Sequence, residues 1–157
     1  MTNKEIKIAY EEYASLEELQ PQDKALVEAA IEAISLAYAP YSNFNVGAAV
    51  RFEDGEIIKG ANQENAAYPS GLCAERTALF YASASRPAKA MTAIAIAAGQ
   101  NGKLITKPVT PCGACRQVMA QYQTKSGLPM SVLLVGADKV LKFEKVDDLL
   151  PLIFDSI

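Results

Sequence analysis

The fold is decided by an apolar stretch in the second half of the chain, Met91-Thr92-Ala93-Ile94-Ala95-Ile96-Ala97-Ala98. This stretch is followed by the turn-forming residues 99–102, and together they predict a strand buried within a sheet. Thr110 and Pro111 then predict the start of a helix that continues to about residue 123. Residues 131–135 predict the next strand. A strand, a helix and a strand in this order are typical of an α/β fold.

The rest of the chain shows the same alternation. The spacing of apolar residues predicts helices over 23–36 and 73–85, a strand over 140–143 and a short helix over 146–150. Strands over 46–52 and 56–59 flank Glu53-Asp54-Gly55 and predict a hairpin. In the first twenty residues, 6–10 alternate like a strand and 15–19 have the pattern of a helical turn. We therefore predict a three-layer α/β fold with a central mixed β-sheet flanked by helices.

Composition excludes several classes of function. The chain has 157 residues, 15 Lys and Arg, 18 Asp and Glu, and a net charge of −3, with no basic stripe, so binding to a nucleic-acid polymer is not expected. The longest apolar run, residues 93–98, is too short to cross a bilayer. Residues 1–5 lead into acidic sequence with no apolar core, so we expect no secretion signal. We expect no membrane partner and a cytoplasmic location. The sequence contains no histidine, which excludes an imidazole base or ligand.

The three cysteines all lie at predicted helix starts. Cys112 and Cys115 are three residues apart and share one helix face, while Cys73 begins another helix. Helix N-termini stabilise thiolates and make them available as metal ligands. Buried cysteines also fill cores as small apolar side chains. A Cys-x-x-Cys pair directly after a helix-starting proline favours the metal site.

Thiolate ligands in an α/β domain indicate zinc first. A structural zinc site is normally closed by four Cys or His ligands, whereas this chain has three thiols and no histidine. The fourth position is therefore open to water, which is typical of a catalytic zinc. Glu75 follows Cys73 by two residues and can reach that water as a general acid and base. The alternative is that Glu75 only interacts with the helix dipole.

Two segments of the sequence resemble the zinc motifs of the cytidine deaminase family in its three-cysteine form. They are Cys73-Ala74-Glu75-Arg76-Thr77-Ala78 and Pro111-Cys112-Gly113-Ala114-Cys115-Arg116-Gln117. Residues 40–49, 62–68 and 149–154 resemble further segments of the same family, and the resemblance extends over about residues 23–154. The sequence departs from the family at Asn45, where proline is common, and over 69–72. Residues 1–20 have no counterpart, so we predict an N-terminal extension followed by a catalytic domain over 21–157.

The resemblance implies a chemistry and a set of residues that perform it. The activity would be zinc-dependent hydrolytic deamination of cytidine and 2′-deoxycytidine, with one Zn²⁺ per chain. Cys73, Cys112 and Cys115 would hold the metal, and Glu75 would move protons between water, the base and the leaving amine. Arg76 would donate hydrogen bonds to the thiolate sulfurs. Arg116 has no assigned role, and a surface ion pair is the alternative for it.

The resemblance also implies how substrate is held and how the protein assembles. The predicted substrate contacts are Phe44, which stacks on the base, Asn62 and Glu64, which bond the ribose hydroxyls, Ala74, and Phe154 from a neighbouring subunit of a homotetramer. Two other functions remain open. A deaminase of another modified nucleoside or of the blasticidin type would keep the zinc motifs, and a non-enzymatic zinc-stabilised binding module would have a closed metal site.

Overall fold

A computed structural model describes residues 1–155 of the chain, which form seven strands and three α-helices. Four 3₁₀ turns lie between them, at Leu16–Glu18, Ile34–Leu36, Tyr68–Ser70 and Val146–Asp148. The strands and helices are, in chain order, β1 Glu11–Tyr13, α1 Pro21–Ala33, β2 Asn45–Phe52, β3 Ile57–Ala61, α2 Ala74–Ser85, β4 Met91–Gln100, β5 Lys103–Leu104, α3 Gly113–Ser126, β6 Ser131–Val135 and β7 Val140–Phe143.

All seven strands belong to one sheet. Its order is β1-β7-β6-β4-β2-β3, and β5 pairs with the end of β4. β4 and β6 run parallel, with Ala95 opposite Leu133, and the other neighbouring strands pair antiparallel. The sheet is therefore mixed, as the sequence predicts.

The two faces of the sheet are covered by different helices. Ile94 and Ile96 of β4 point into a core shared with α2 and α3. Ala93, Ala95 and Ala97, which alternate with them, face the opposite way, into a second core that includes α1. On that side α1 lies very close to the sheet, because a Cβ on Gly47 would be 2.2 Å from the carbonyl oxygen of Ala30. Helices on both faces give the predicted three layers.

The topology brings the starts of α2 and α3 to one edge of the sheet. α2 follows the carboxyl end of β3, and α3 follows β4 after the short β5. Because β3 and β4 are each antiparallel to β2, they run in the same direction. Both helices pack on the same face of the sheet. Their N-termini, which carry the cysteines, therefore meet.

The structure differs from the sequence predictions at several element ends. The N-terminal strand is Glu11–Tyr13 rather than 6–10, because Glu11–Tyr13 has a partner in β7, where Glu11 lies opposite Lys142. α1 begins at Pro21 instead of residue 23, since proline lacks an N–H and suits the first turn. α3 begins at Gly113 rather than at Pro111, because extended Cys112 is its N-cap.

Other boundaries shift by two or three residues. α1 ends at Ala33 and continues as a 3₁₀ turn, and the short helix predicted over 146–150 is the turn Val146–Asp148. β4 extends two residues beyond the predicted end and pairs with β5.

Within residues 1–155, no helix is both long enough and apolar enough to cross a membrane.

Candidate metal centre and active site

The three cysteine sulfurs form one cluster. Cys73 and Cys112 are the N-caps of α2 and α3, and Cys115 lies in the first turn of α3. The three Sγ atoms lie within 4.8 Å of one another, and those of Cys112 and Cys115 are 3.5 Å apart. Tetrahedral zinc with Zn–S distances of ~2.3 Å separates its sulfurs by ~3.8 Å. The cluster therefore has the dimensions of a zinc site.

The charges around the cluster also suit a metal ion. Arg76 Nη2 donates a hydrogen bond to Cys73 Sγ at 3.6 Å, and within the described part of the chain its buried Nε has no partner. A hydrogen bond from Cys115 and the Arg76 guanidinium lower the pKa of Cys73 to about 5. The hydrogen bond to Cys73 and burial raise the pKa of Cys115. The three cysteines offer soft sulfur ligands, and the lowered pKa of Cys73 favours its thiolate form near neutral pH. This ligand set fits one zinc ion per chain.

Glu75 lies beside the sulfur cluster in the first turn of α2. Only 5% of the residue is exposed. Burial raises the pKa of its carboxyl group, the negative charge on Cys73 raises it further, and a hydrogen bond with Cys115 opposes the change. A carboxyl group whose pKa is raised towards neutral pH can both accept and release a proton. This is the property that a proton carrier requires.

One cavity of about 750 Å³ is lined by two of the three clustered cysteines and by most of the predicted substrate contacts. The predicted site residues that line it are Phe44, Asn62, Glu64, Cys73, Ala74, Glu75, Arg76 and Cys112. Cys115 is fully buried behind the wall. The topology thus brings residues from the β2 entry, the β3 exit and both helix starts to one place.

Asn62 and Glu64 hold the chain segment that carries Phe44. Asn62 Nδ2 donates to the Phe44 carbonyl at 2.9 Å, and its Oδ1 accepts from the Val46 N–H at 2.8 Å. The Glu64 carboxylate accepts from the backbone N–H groups of Tyr41 and Ser42 and from the Ser42 hydroxyl. The Ser42 hydrogen bond lowers the pKa of Glu64. Sequence reasoning missed Ser42, since the pairing of two loops leaves no local signal.

Phe154 is the one predicted substrate contact that lies away from the cavity of its own chain. Its side chain is largely exposed, and its carbonyl accepts a hydrogen bond from Gln117 Nε2 at 2.7 Å. Ile153, one residue earlier, packs against the core. The tail is therefore fastened to α3 while the Phe154 ring remains free for another contact.

Arg116 connects the metal loop with the base of this tail. Its Nε donates to the Pro111 carbonyl at 2.8 Å, and its Nη1 donates to the Leu149 carbonyl at 2.9 Å. Within residues 1–155, Arg116 makes these two bonds to backbone carbonyls rather than the surface ion pair considered from sequence. Pro111 directly precedes Cys112, so the guanidinium holds the backbone that presents a predicted metal ligand.

Comparison with known proteins identifies the family. A model of the cytidine and deoxycytidylate deaminase zinc-binding region matches residues 20–128. The chain belongs to the cytidine deaminase family. It is 52% identical over 96 residues to the cytidine deaminase of Halalkalibacterium halodurans, covering 61% of this chain and 68% of that protein. It is 37% identical over 122 residues to the cytidine deaminase of Mycobacterium tuberculosis, covering 78% and 81%. Blasticidin-S deaminase of Bacillus cereus is 29% identical over 136 residues, covering 85% and 93%.

Solved structures of the cytidine deaminase family have the same fold. The cytidine deaminase of Burkholderia pseudomallei is 44% identical and superposes with a TM-score of 0.70, over 83% of this chain and 97% of that one. The cytidine deaminase of Mycobacterium leprae is 34% identical, with a TM-score of 0.62 over 82% and 96%. The predicted cytidine deaminase-like fold is confirmed.

Proposed function

We propose that the protein is a zinc-dependent deaminase that hydrolyses cytidine and 2′-deoxycytidine to uridine and 2′-deoxyuridine, with release of ammonia. The observation that carries this proposal is the buried Glu75 carboxyl group beside three clustered thiols at the wall of the cavity. A zinc-stabilised binding module would have no use for such a carboxyl group. It would also need a fourth protein ligand, and within residues 1–155 the cluster contains only three cysteines.

Glu75 carries the proton transfers in this proposal. Cys73, Cys112 and Cys115 would hold the zinc ion, which would lower the pKa of a water molecule to about 7 and so make hydroxide available near neutral pH. The Glu75 carboxylate takes a proton from water and delivers it to N3 of the cytosine ring. The hydroxide forms a bond to C4, and Glu75 then takes the proton of the new C4 hydroxyl group and delivers it to the exocyclic amine. The C4–N bond breaks, ammonia leaves and C4 becomes a carbonyl carbon. The raised pKa of Glu75 suits both transfers.

Arg76 balances the negative charge of the ligands. Three thiolates around a divalent ion give a net charge of −1, which weakens the acidification of water. The guanidinium donates to Cys73 Sγ and draws charge from that sulfur. In this role Arg76 acts through the metal ligand and does not touch the substrate.

Phe44, Asn62, Glu64 and Ala74 form the nucleoside-binding wall in this proposal. Phe44 stacks on the base, and Asn62 and Glu64 bond the ribose hydroxyls. In the structure, Asn62 Nδ2 donates one hydrogen bond and Oδ1 accepts one, so each atom can make another. The Glu64 carboxylate accepts three, and a carboxylate offers about four acceptor positions. Both residues can therefore bind a sugar while still holding the Phe44 segment.

The charges of the cavity favour a nucleoside over a nucleotide. Among the described residues that line it, Arg76 is the one cation, and its guanidinium faces Cys73. Glu64 is negatively charged at the end where the ribose would lie. A phosphate there would be left without a cationic partner, which is costly in a partly desolvated site. No feature of the cavity favours a blasticidin-type substrate over cytidine.

The proposal extends to assembly and location. Tyr41, Tyr68 and Leu72 are exposed large side chains that line the cavity, and Phe154 is exposed outside it. Exposed apolar groups of this kind are typical of an interface. We therefore propose a homotetramer in which Phe154 covers the site of a neighbouring subunit. The partners are small nucleosides rather than a nucleic-acid polymer, in the cytoplasm. The proposed catalytic domain spans 21–157, of which the last two residues lie outside the described range.

Ammonia release tests the proposed function. The zinc-loaded protein is incubated separately with cytidine, 2′-deoxycytidine, deoxycytidylate and blasticidin S, and zinc content is measured on the same sample. We expect about one zinc per chain, turnover of both nucleosides, and little turnover of the nucleotide or of blasticidin S. Release of ammonia from deoxycytidylate or blasticidin S, without release from the nucleosides, would contradict the assignment.

A further inference from the structure

The Ser42 hydroxyl joins the two parts of the cavity wall that the proposed function gives to the base and to the ribose. It accepts a hydrogen bond from the Phe44 backbone N–H at 3.1 Å and donates one to Glu64 Oε1. The backbone N–H of Ser42 also donates to Glu64 Oε2, at 3.3 Å. Ser42 itself is exposed and lines the cavity.

We propose that Ser42 is a positioning residue that fixes Phe44 relative to Glu64 and so preorganises the nucleoside-binding wall. This inference rests on the proposed function, because it concerns how that site holds its substrate. Ser42 acts through Phe44 and Glu64, and none of these three hydrogen bonds involves Glu75 or a cysteine.

The Ser42 hydroxyl matters because it belongs to both hydrogen bonds at once. Without it the Phe44 N–H loses its partner within the loop, and Glu64 loses one of the three donors that orient its carboxylate. Phe44 and Glu64 would then be mobile in the free protein and would have to become ordered when the base and the ribose bind. The entropy cost of this ordering lowers the affinity for substrate. The substrate and the transition state share these contacts. A loss of this kind therefore raises KM and leaves kcat nearly unchanged.

Three variants separate positioning from a general structural effect. Ser42→Ala removes the hydroxyl, and Ser42→Thr keeps it. Ser35→Ala is the matched control, since Ser35 is also exposed and its hydroxyl also bonds within the chain, to the Glu32 carbonyl, outside the cavity lining. The measurements on zinc-loaded protein are KM and kcat for cytidine, zinc content, and hydrogen exchange at the Phe44 amide.

We expect Ser42→Ala to raise KM by about tenfold, an effect within the range of losing the two hydrogen bonds of the hydroxyl, with kcat within about twofold of wild type. The Phe44 amide should exchange faster, and zinc content should stay the same. Ser42→Thr should restore both KM and the protection of the Phe44 amide, and Ser35→Ala should match wild type.

An unchanged KM in Ser42→Ala would overturn the inference, whether or not kcat falls. A KM for Ser42→Thr as high as that of Ser42→Ala would overturn it as well, because the hydroxyl would then not be the group that matters. Failure of the wild-type protein to deaminate cytidine would instead contradict the proposed function on which the inference rests.

Discussion

The Asn43 side chain donates a hydrogen bond from Nδ2 to Oδ1 of Asn101 at 2.9 Å. Asn43 has a φ of 52° and Asn101 a φ of 53°, and within residues 1–155 these two are the non-glycine residues with positive φ. Asparagine enters this left-handed region more easily than most residues. The bond ties the loop before Phe44 to the turn between β4 and β5. One wall of the cavity is thus anchored to the central strand of the sheet.

The backbone at Asn43 predicts a difference between two substitutions. Asn43→Gly loses the bond to Asn101 but tolerates the positive φ, whereas Asn43→Ala loses the bond and is strained as well. We expect the alanine variant to have an unfolding free energy lower by about 1 kcal/mol than that of the glycine variant. Urea unfolding at a fixed protein concentration measures both. Equal stability of the two variants would show that the backbone is unstrained at this residue.

Arg76→Gln should raise the pKa of Cys73 in the metal-free protein. The Arg76 guanidinium helps to hold this pKa at about 5, so at pH 6 Cys73 is mostly thiolate. A higher pKa leaves less thiolate at pH 6, and alkylation of Cys73 by iodoacetamide should slow at that pH. Peptide mass spectrometry follows the rate at Cys73 alone. Arg86→Gln, which changes an arginine paired with Glu56 instead, is the control.

An unchanged alkylation rate at pH 6 in Arg76→Gln would mean that Arg76 does not set the charge of Cys73. In the zinc-loaded variant we expect bound zinc with reduced turnover, since the thiolate would keep more negative charge at the metal.

Deletion from Leu152 onward tests the proposed assembly. The wild-type protein should scatter light as a particle of about four times the 16.8 kDa chain mass. The truncated protein should lose assembly, activity or both, because the exposed Phe154 ring would no longer reach a neighbouring site. Phe154→Ala is the milder variant and should retain the Gln117 contact, which uses the Phe154 backbone. A wild-type particle of monomer mass, or a fully active truncation, would contradict the shared site.

Much of the fold could be predicted because the apolar patterns are strong and local. The run over residues 91–98 is buried as a strand, and 131–135 and 140–143 match β6 and β7 residue for residue. Residues 6–10 alternate equally well but have no strand to pair with. The N-terminal strand forms at Glu11–Tyr13 because this segment pairs with β7, which is more than a hundred residues away. The local sequence carries no information about this pairing.

The metal cluster could be predicted because its chemistry depends on few residue types. Three cysteines at helix starts, with no histidine, leave little choice of ligands. The roles of Ser42 and Arg116 could not be predicted, since their partners are Glu64 and backbone carbonyls on other segments. Serine and arginine in loops and on helices are usually solvated, so their residue type alone gives no signal.

The central claim is that Glu75 carries the protons of a zinc-dependent deamination, and Glu75→Gln tests it most directly. Glu28→Gln, which changes an exposed glutamate on α1, is the matched control. Turnover of cytidine is measured for both variants alongside zinc content and melting temperature. We predict that Glu75→Gln keeps zinc and fold but loses about 10²- to 10⁴-fold in kcat, because an amide cannot carry a proton. Turnover by Glu75→Gln within about tenfold of wild type, or ~1.4 kcal/mol of barrier, would contradict the claim.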